Sequence, residues 1–183
     1  MGHADRGGPV TLQLVPATDD DLALLTRELG RPPRGVLGVA HRCGHGVPAV
    51  VQTAPRLPDG TPFPTLFYLC CSVLNSAIGR MEAGGVMRQM TEELADDPDL
   101  AARYRCAHES YLAMRDAIDD LGIPVSAGGM PDRVKCLHVL VAHSLAVGRG
   151  VNPLGDRAVD MLGDYFRGAV PCVRVEPGGL SSG

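Results

Sequence analysis

The chain has 183 residues, 45% of them hydrophobic, and a formal net charge of -4. That length predicts one domain with a sizeable core; with 4% aromatics and no tryptophan, the core must come from Leu, Val, Ala and Met. The charge gives no basic stripe for nucleic acid, no stretch approaches the roughly 18 uninterrupted apolar residues of a membrane span, and MGHADRGGPV has no apolar secretory core, so a cytoplasmic location is expected.

Residues 1–17 read as a flexible leader. TDDDLALLTRELG predicts a short helix, capped by Thr18 or Asp19, with acids where the helix dipole favours them. Leu22, Leu25 and Leu29 form its apolar stripe, and Gly30 with Pro32 ends it. RGVLGVAHR and VPAVVQTA are β-favourable runs flanking CGHG, which predicts a hairpin with a glycine-rich knuckle. APRLPDGTPFPT is a proline-stiffened loop, and TLFYLC a third strand. Ser72 is expected to cap a helix through about Met81, broken by Gly84-Gly85, with a second piece to about Ala95. Asp97-Pro98 opens a long helix to about Asp119, Pro131 a central apolar helix to Val147, and Asn152-Pro153 a last helix to about Phe166. Residues 18–168 are expected to form a single globular domain and 169–183 a flexible tail. The fold class is α+β and mostly helical: about six helices packed with a small two- or three-stranded antiparallel sheet.

The six cysteines, Cys43, Cys70, Cys71, Cys106, Cys136 and Cys172, include no C-x-x-C pair. Without a secretory signal they read as thiols, not a disulfide framework. If the central helix starts at Pro131, Cys136 and His143 share a face but stand about 10.5 Å apart along the axis, too far for one ion. Cys136 and His138 then point to nearly opposite sides, and both histidines read as satisfied core groups. Cys70 and Cys71, adjacent in a strand, face opposite ways. Cys43 in CGHG resembles a metal knuckle, with His41 and His45 nearby. Cys106, beside Arg103 and Arg105, reads as structural. SAGGMPDRVK places Gly128 and Gly129 before a helix N-terminus, with Arg133 and Lys135 adding positive charge; with Arg56 from the proline-rich loop these residues are candidates to bind a small anion.

RCGHGVP, TAPRLPDGTPFPTLFYL, SAGGMPDRVKCLHVLVAHSLA and NPLGD together resemble a bacterial, mainly actinobacterial, family catalogued as domain of unknown function 501. The resemblance spans roughly residues 20–163. The family's cysteines fall by position on Cys43, Cys71 and Cys136, with Cys70 as a passenger where the family has threonine. The resemblance therefore implies a metal site of three thiolates from three segments, holding zinc or a [4Fe–4S] cluster. The fourth position would be taken by His138, His143, Cys172 or an acid such as Asp132, or stay open for substrate. The family's genes often lie near those for enolase, a septum-formation initiator and an exopolyphosphatase. This implies an alternative, a non-catalytic module binding a protein partner in cell division or envelope synthesis. A third reading is a metal-free thiol enzyme with Cys136 as nucleophile, Arg133 and Lys135 nearby, and a histidine from another segment as base.

Overall fold

The structure, a computed structural model, describes residues 12–163. Helix α1 runs Asp19–Leu29. Thr18 caps it in a reciprocal box with Asp21, and Gly30 closes it at φ 68°. Strands β1 (Val36–Arg42), β2 (Pro48–Thr53) and β3 (Phe67–Leu69) form an antiparallel sheet in the order β1-β2-β3. The CGHG turn joins the first two, and Val51 pairs with Val39 on one side and Tyr68 on the other. All six residues of β2 are buried, as a central strand covered on both faces should be. Within the expected leader, Val15 exchanges backbone hydrogen bonds with Val39 of β1 (3.0 and 2.7 Å). Residues 1–11 and 164–183 lie outside the described residues, and with them the expected tail, Cys172 and the expected end of the last helix.

Helices α2 (Ser72–Ala83) and α3 (Val86–Asp96) are separated at Gly84 and Gly85, the latter at φ 88°. Helix α4 (Pro98–Asp116) starts as expected, the Asp97 carboxylate accepting from the Asp99 and Leu100 amides. Helices α5 (Leu137–Val147) and α6 (Pro153–Met161) complete the set. The described residues thus form six helices and one three-stranded sheet, an α+β fold.

Two helix starts differ from expectation. Helix α2 is capped by Cys71, not Ser72. Its first amide, Ser72 N–H, donates to the Glu28 carboxylate of α1 (3.0 Å). Helix α5 begins at Leu137, six residues after Pro131. The reason lies in where the intervening amides go. Lys135 and Cys136 N–H turn back to the Gly128 carbonyl (2.7 and 3.3 Å), and Val134 N–H donates to Thr91 Oγ1 of α3 (3.0 Å). Those bonds hold residues 133–136 in a loop, and Cys136 sits extended at φ -153°, ψ 115°.

Helix α5 is apolar nearly all round, LHVLVAHSLAV, which marks a buried helix. It lies against one face of the sheet and against α6, with Leu137, Leu140, Val141 and Ala142 buried in the main core. On the other face α1 covers a small cluster of Leu25, Val51 and Cys70. The Arg42 guanidinium grips both Asp21 oxygens (2.8 Å each), tying α1 to β1 and holding the Asp21 carboxyl well below the usual carboxylate range.

Helices α5 and α6 touch where Gly155 has no side chain. A Cβ there would stand 2.4 Å from both the Leu140 carbonyl oxygen and Ser144 Oγ. Gly155→Ala is therefore expected to cost about 1–3 kcal/mol, the usual range for overpacking. A urea-unfolding midpoint equal to that of the parent would show that the helices separate without penalty.

Candidate functional site

The late capping of α5 creates the site. With Cys136 extended at the N-cap, its thiol does not project from the helix barrel. It turns to the side chain two residues on, and Cys136 Sγ lies 3.8 Å from His138 Nδ1. The expectation that these two side chains diverge held only for a helix running through 136. The α5 N-terminus receives no cap from its own N-cap side chain. Glu82, in the last turn of α2, supplies it: Oε1 accepts from Leu137 N–H at 2.7 Å and stands 3.2 Å from His138 Nδ1. One ligand atom from each of Glu82, Cys136 and His138 lies within 4.8 Å of the others, the grouping of three metal-ligating side chains found among the described residues.

The histidine's orientation is set from behind. His138 Nε2 lies 3.3 Å from the Asn75 carbonyl oxygen of α2. A carbonyl only accepts, so Nε2 carries the proton and Nδ1 is the nitrogen aimed at the thiol and the carboxylate. Hydrogen bonding to Cys136, reinforced by the Glu82 carboxylate, raises the His138 pKa to about 9. The group is half-buried, and two of its members, Cys136 and His138, line a pocket of about 350 Å³ together with Val139, Asn75, Thr65 and residues of β3.

Cys43 and Cys71 are outside this grouping. Both are buried in the main core at the same end of the sheet. Cys43 N–H bonds Val47 across the hairpin, and Cys71 follows Cys70, whose N–H bonds Ala49. Cys71 and Cys136 hold equivalent positions: each is a helix N-cap residue whose following amide is held by a glutamate from another helix. Cys70 is buried between α1 and β2, and burial pushes its thiol up to about 12. Cys106 is exposed on α4. His143 is fully buried against Phe67 and Tyr111 and is not part of the grouping. His41 lines a separate pocket with Ser144 and Asp156, and Asp132 is exposed, 3.9 Å from Arg105.

The amides that follow the glycine loop are bonded within the fold. Gly128 and Gly129 adopt φ 76° and 92°, which favours glycine at both. Arg133 N–H goes to the Gly129 carbonyl, Val134 to Thr91, Lys135 and Cys136 to Gly128, and Leu137 to Glu82. None of these five remains for an external anion; the carboxylate at this helix N-terminus is the protein's own. The Arg133 and Lys135 side chains are exposed, and Arg56 pairs with Asp119 (3.2 Å).

Glu82 is the residue the sequence reading did not single out. Its one local signal is a carboxylate in a helix's last turn, where the dipole disfavours it; its partner is 55 residues away. A further pocket of about 330 Å³ lies on the α1 side, near Leu29, Val51 and Tyr68, with Arg31 and Arg34 in its lining. It holds no cysteine, histidine or carboxylate. Among the described residues no helix is long and apolar enough to cross a membrane.

Comparison with known families matches residues 39–160 to the family described as "Protein of unknown function (DUF501)". No curated protein and no solved structure matches the chain.

Proposed function

The chain belongs to the DUF501 family, and from the geometry of Glu82, Cys136 and His138 we propose that it binds zinc through these three side chains, leaving one coordination position open. The observation that carries this reading is that thiol and carboxylate approach the same ring nitrogen. In a nucleophilic triad the acid and the nucleophile sit on opposite nitrogens of the histidine. Here Nε2 is spent on the Asn75 carbonyl, the backbone partner that metal-binding histidines usually have. Three different donor atoms then converge on one point.

The spacings agree. Zinc bonds of about 2.0–2.3 Å in a tetrahedral site set ligand atoms roughly 3.3–3.6 Å apart. The thiol–imidazole and imidazole–carboxylate separations of 3.8 and 3.2 Å straddle that range. One thiolate, one imidazole and one carboxylate suit zinc; a [4Fe–4S] cluster is held by thiolates. Three protein ligands beside a pocket is the pattern of a catalytic zinc, which polarises a carbonyl or activates a bound water.

Zinc is expected at about one ion per chain after dialysis, with a thiolate-to-metal charge-transfer band when cobalt replaces it. Loss of an outer partner of a metal site costs about 10–100-fold in affinity, so Cys136→Ser and His138→Ala are expected to cost more than about 100-fold. Cys106→Ser, exposed on α4, should leave the metal in place. Cys43→Ser and Cys71→Ser discriminate between ligand sets. Both retain zinc if Glu82 is the third ligand, and both lose it if the three thiolates hold the ion. Unchanged metal content in Cys136→Ser would end the assignment.

A further inference from the structure

The pocket of about 330 Å³ lies on the face of the sheet that α1 covers. It opens where that helix stops, at Leu29. Val51 and Thr53 of β2 are buried in its lining, while Leu29, Val36, Phe63 and Tyr68 are half-buried and still present apolar surface. The walls are held by main chain. Ala54 N–H donates to the Gly35 carbonyl (2.7 Å), which ties the connection between α1 and β1 to the end of β2. The proline-rich loop is closed by Leu57 N–H to the Thr61 carbonyl (2.9 Å) and Phe63 N–H to the Pro55 carbonyl (2.6 Å). The pocket is therefore preformed, at the low end of the roughly 300–1,000 Å³ of small-molecule sites.

Its charge has one sign. Arg31 and Arg34 are exposed in the lining, and no carboxylate shares it. Pro32 and Pro33 stand between them, each fixing φ at about −65°, so the two stems leave a stiff segment. Among the described residues neither guanidinium makes a direct ion pair. Arg34 is drawn to Asp59, but that carboxylate is exposed and already accepts from Thr61 N–H (2.9 Å). The Thr53 hydroxyl is spent on the Thr65 carbonyl (2.5 Å). Cations above low-dielectric walls focus their field on an anion, and a guanidinium fork matches a carboxylate with two parallel hydrogen bonds. A bare phosphate would leave the apolar walls wet, and a neutral hydrocarbon would leave the arginines unused. The ligand that satisfies both parts has an apolar body and one anionic end.

We propose that this pocket binds a small amphipathic carboxylate, its apolar body against Val36, Val51 and Phe63 and its carboxylate held by Arg31 and Arg34. The site shares only Tyr68 with the pocket beside Cys136 and does not need the metal.

The test is an amide-shift titration of the full chain with octanoate. Shifts are expected at Gly35, Val36 and Phe63. From butanoate to octanoate the affinity should rise about fourfold per methylene. Octanamide, of equal length but uncharged, should bind at least about tenfold more weakly than octanoate. Arg31→Gln combined with Arg34→Gln, both at exposed positions, should leave the fold intact and bring octanoate down to the level of octanamide. Octanamide as tight as octanoate in the parent, undiminished octanoate binding in the double variant, or no shift at all would overturn the proposal. So would acetate or inorganic phosphate matching octanoate, which marks loose surface charge. Shifts at the same amides that follow protein concentration without octanoate would also overturn it and assign the pocket to a second copy of the chain. Cys136→Ser should bind octanoate unchanged. Binding lost in that variant would put the carboxylate on the metal, ending this proposal and leaving the zinc reading in place.

Discussion

Arg115→Met is expected to destabilise the protein by about 3–5 kcal/mol. Arg115 is the largest fully buried side chain, with no exposed surface, in the last turn of α4. Its guanidinium donates to the Val125 carbonyl (2.6 Å), the Ile123 carbonyl (2.8 Å) and the Asp116 carboxylate (2.7 Å). Methionine fills similar space but leaves two carbonyls and a carboxylate without their donor. Hydrogen bonds to a charged group contribute about 1.5–3 kcal/mol each, and with Asp116 partly exposed and able to turn to water the loss is set by the two carbonyls. For a chain of this size that lowers the melting temperature by roughly 6–20 °C. Arg115→Lys keeps the charge but not the planar fork, so it should recover only part of the loss. The segment it anchors leads through Ser126, bonded to His108 Nδ1 at 2.8 Å, into the glycine loop and Cys136. Loss of Arg115 should therefore speed amide exchange through residues 121–127 before the sheet is affected. A melting temperature within about 2 °C of the parent would show that water replaces the guanidinium at no cost.

The fold was legible where its signals are local. The α1 capping residues, the CGHG hairpin, the Gly84-Gly85 break and the Asp97-Pro98 start each sit within a few residues of what they control. The misplaced starts of α2 and α5 share a cause. In each, the first amide is held by a glutamate from a distant helix, Glu28 or Glu82, so the best local capping residue loses to a carboxylate that no window contains. Pro131 reads as the start of a helix, yet the amides that follow it are spent on Gly128 and on Thr91, a residue 43 positions away from Val134.

That single displacement also decided how the site reads. Placed inside a helix, Cys136 and His138 diverge; placed one residue before it, they meet. Cys136 and His138 were both named from the sequence, and the geometry joins them to Glu82. Nothing around Glu82 in GRMEAGG announces a ligand, because its role depends on α2 running up to the N-terminus of α5. The anion-binding expectation drew on the same glycines and the same helix start, and the electrostatics behind it is sound. At the first amide of α5, Leu137 N–H, the carboxylate present is a side chain of the fold itself, Glu82.

The second large effect is a loss of stability on acidification, controlled by His143. The ring is fully buried, stacked on Phe67 (5.9 Å, 12° between planes) and edge-on to Tyr111 (5.2 Å, 89°). Asn152 Nδ2 donates to its Nδ1 at 3.2 Å, which leaves the proton on Nε2, a buried atom without a hydrogen-bond partner among the described residues. Burial pushes its pKa down to about 4. Above pH 6.5 the ring is neutral in both folded and unfolded chains, and its contribution to stability is complete. Between pH 6.5 and 4 the unfolded chain takes up a proton that the folded one refuses, so stability falls by about 1.4 kcal/mol per pH unit, about 3 kcal/mol in all. Below pH 4 the effect levels off. Burial lowers His41 and His108 as well, in the same direction. His138 does not enter this balance, since in the zinc-bound chain its ring is a neutral ligand. The His143 share is therefore isolated by His143→Phe, which keeps an aromatic ring between Phe67 and Tyr111 and removes the titrating nitrogen. Urea unfolding at pH 7 and pH 4.5 should show the parent losing roughly 2–3 kcal/mol more than the variant between the two. Equal losses in the two proteins would mean that acid enters the core by another route and that the buried imidazole is not what limits it.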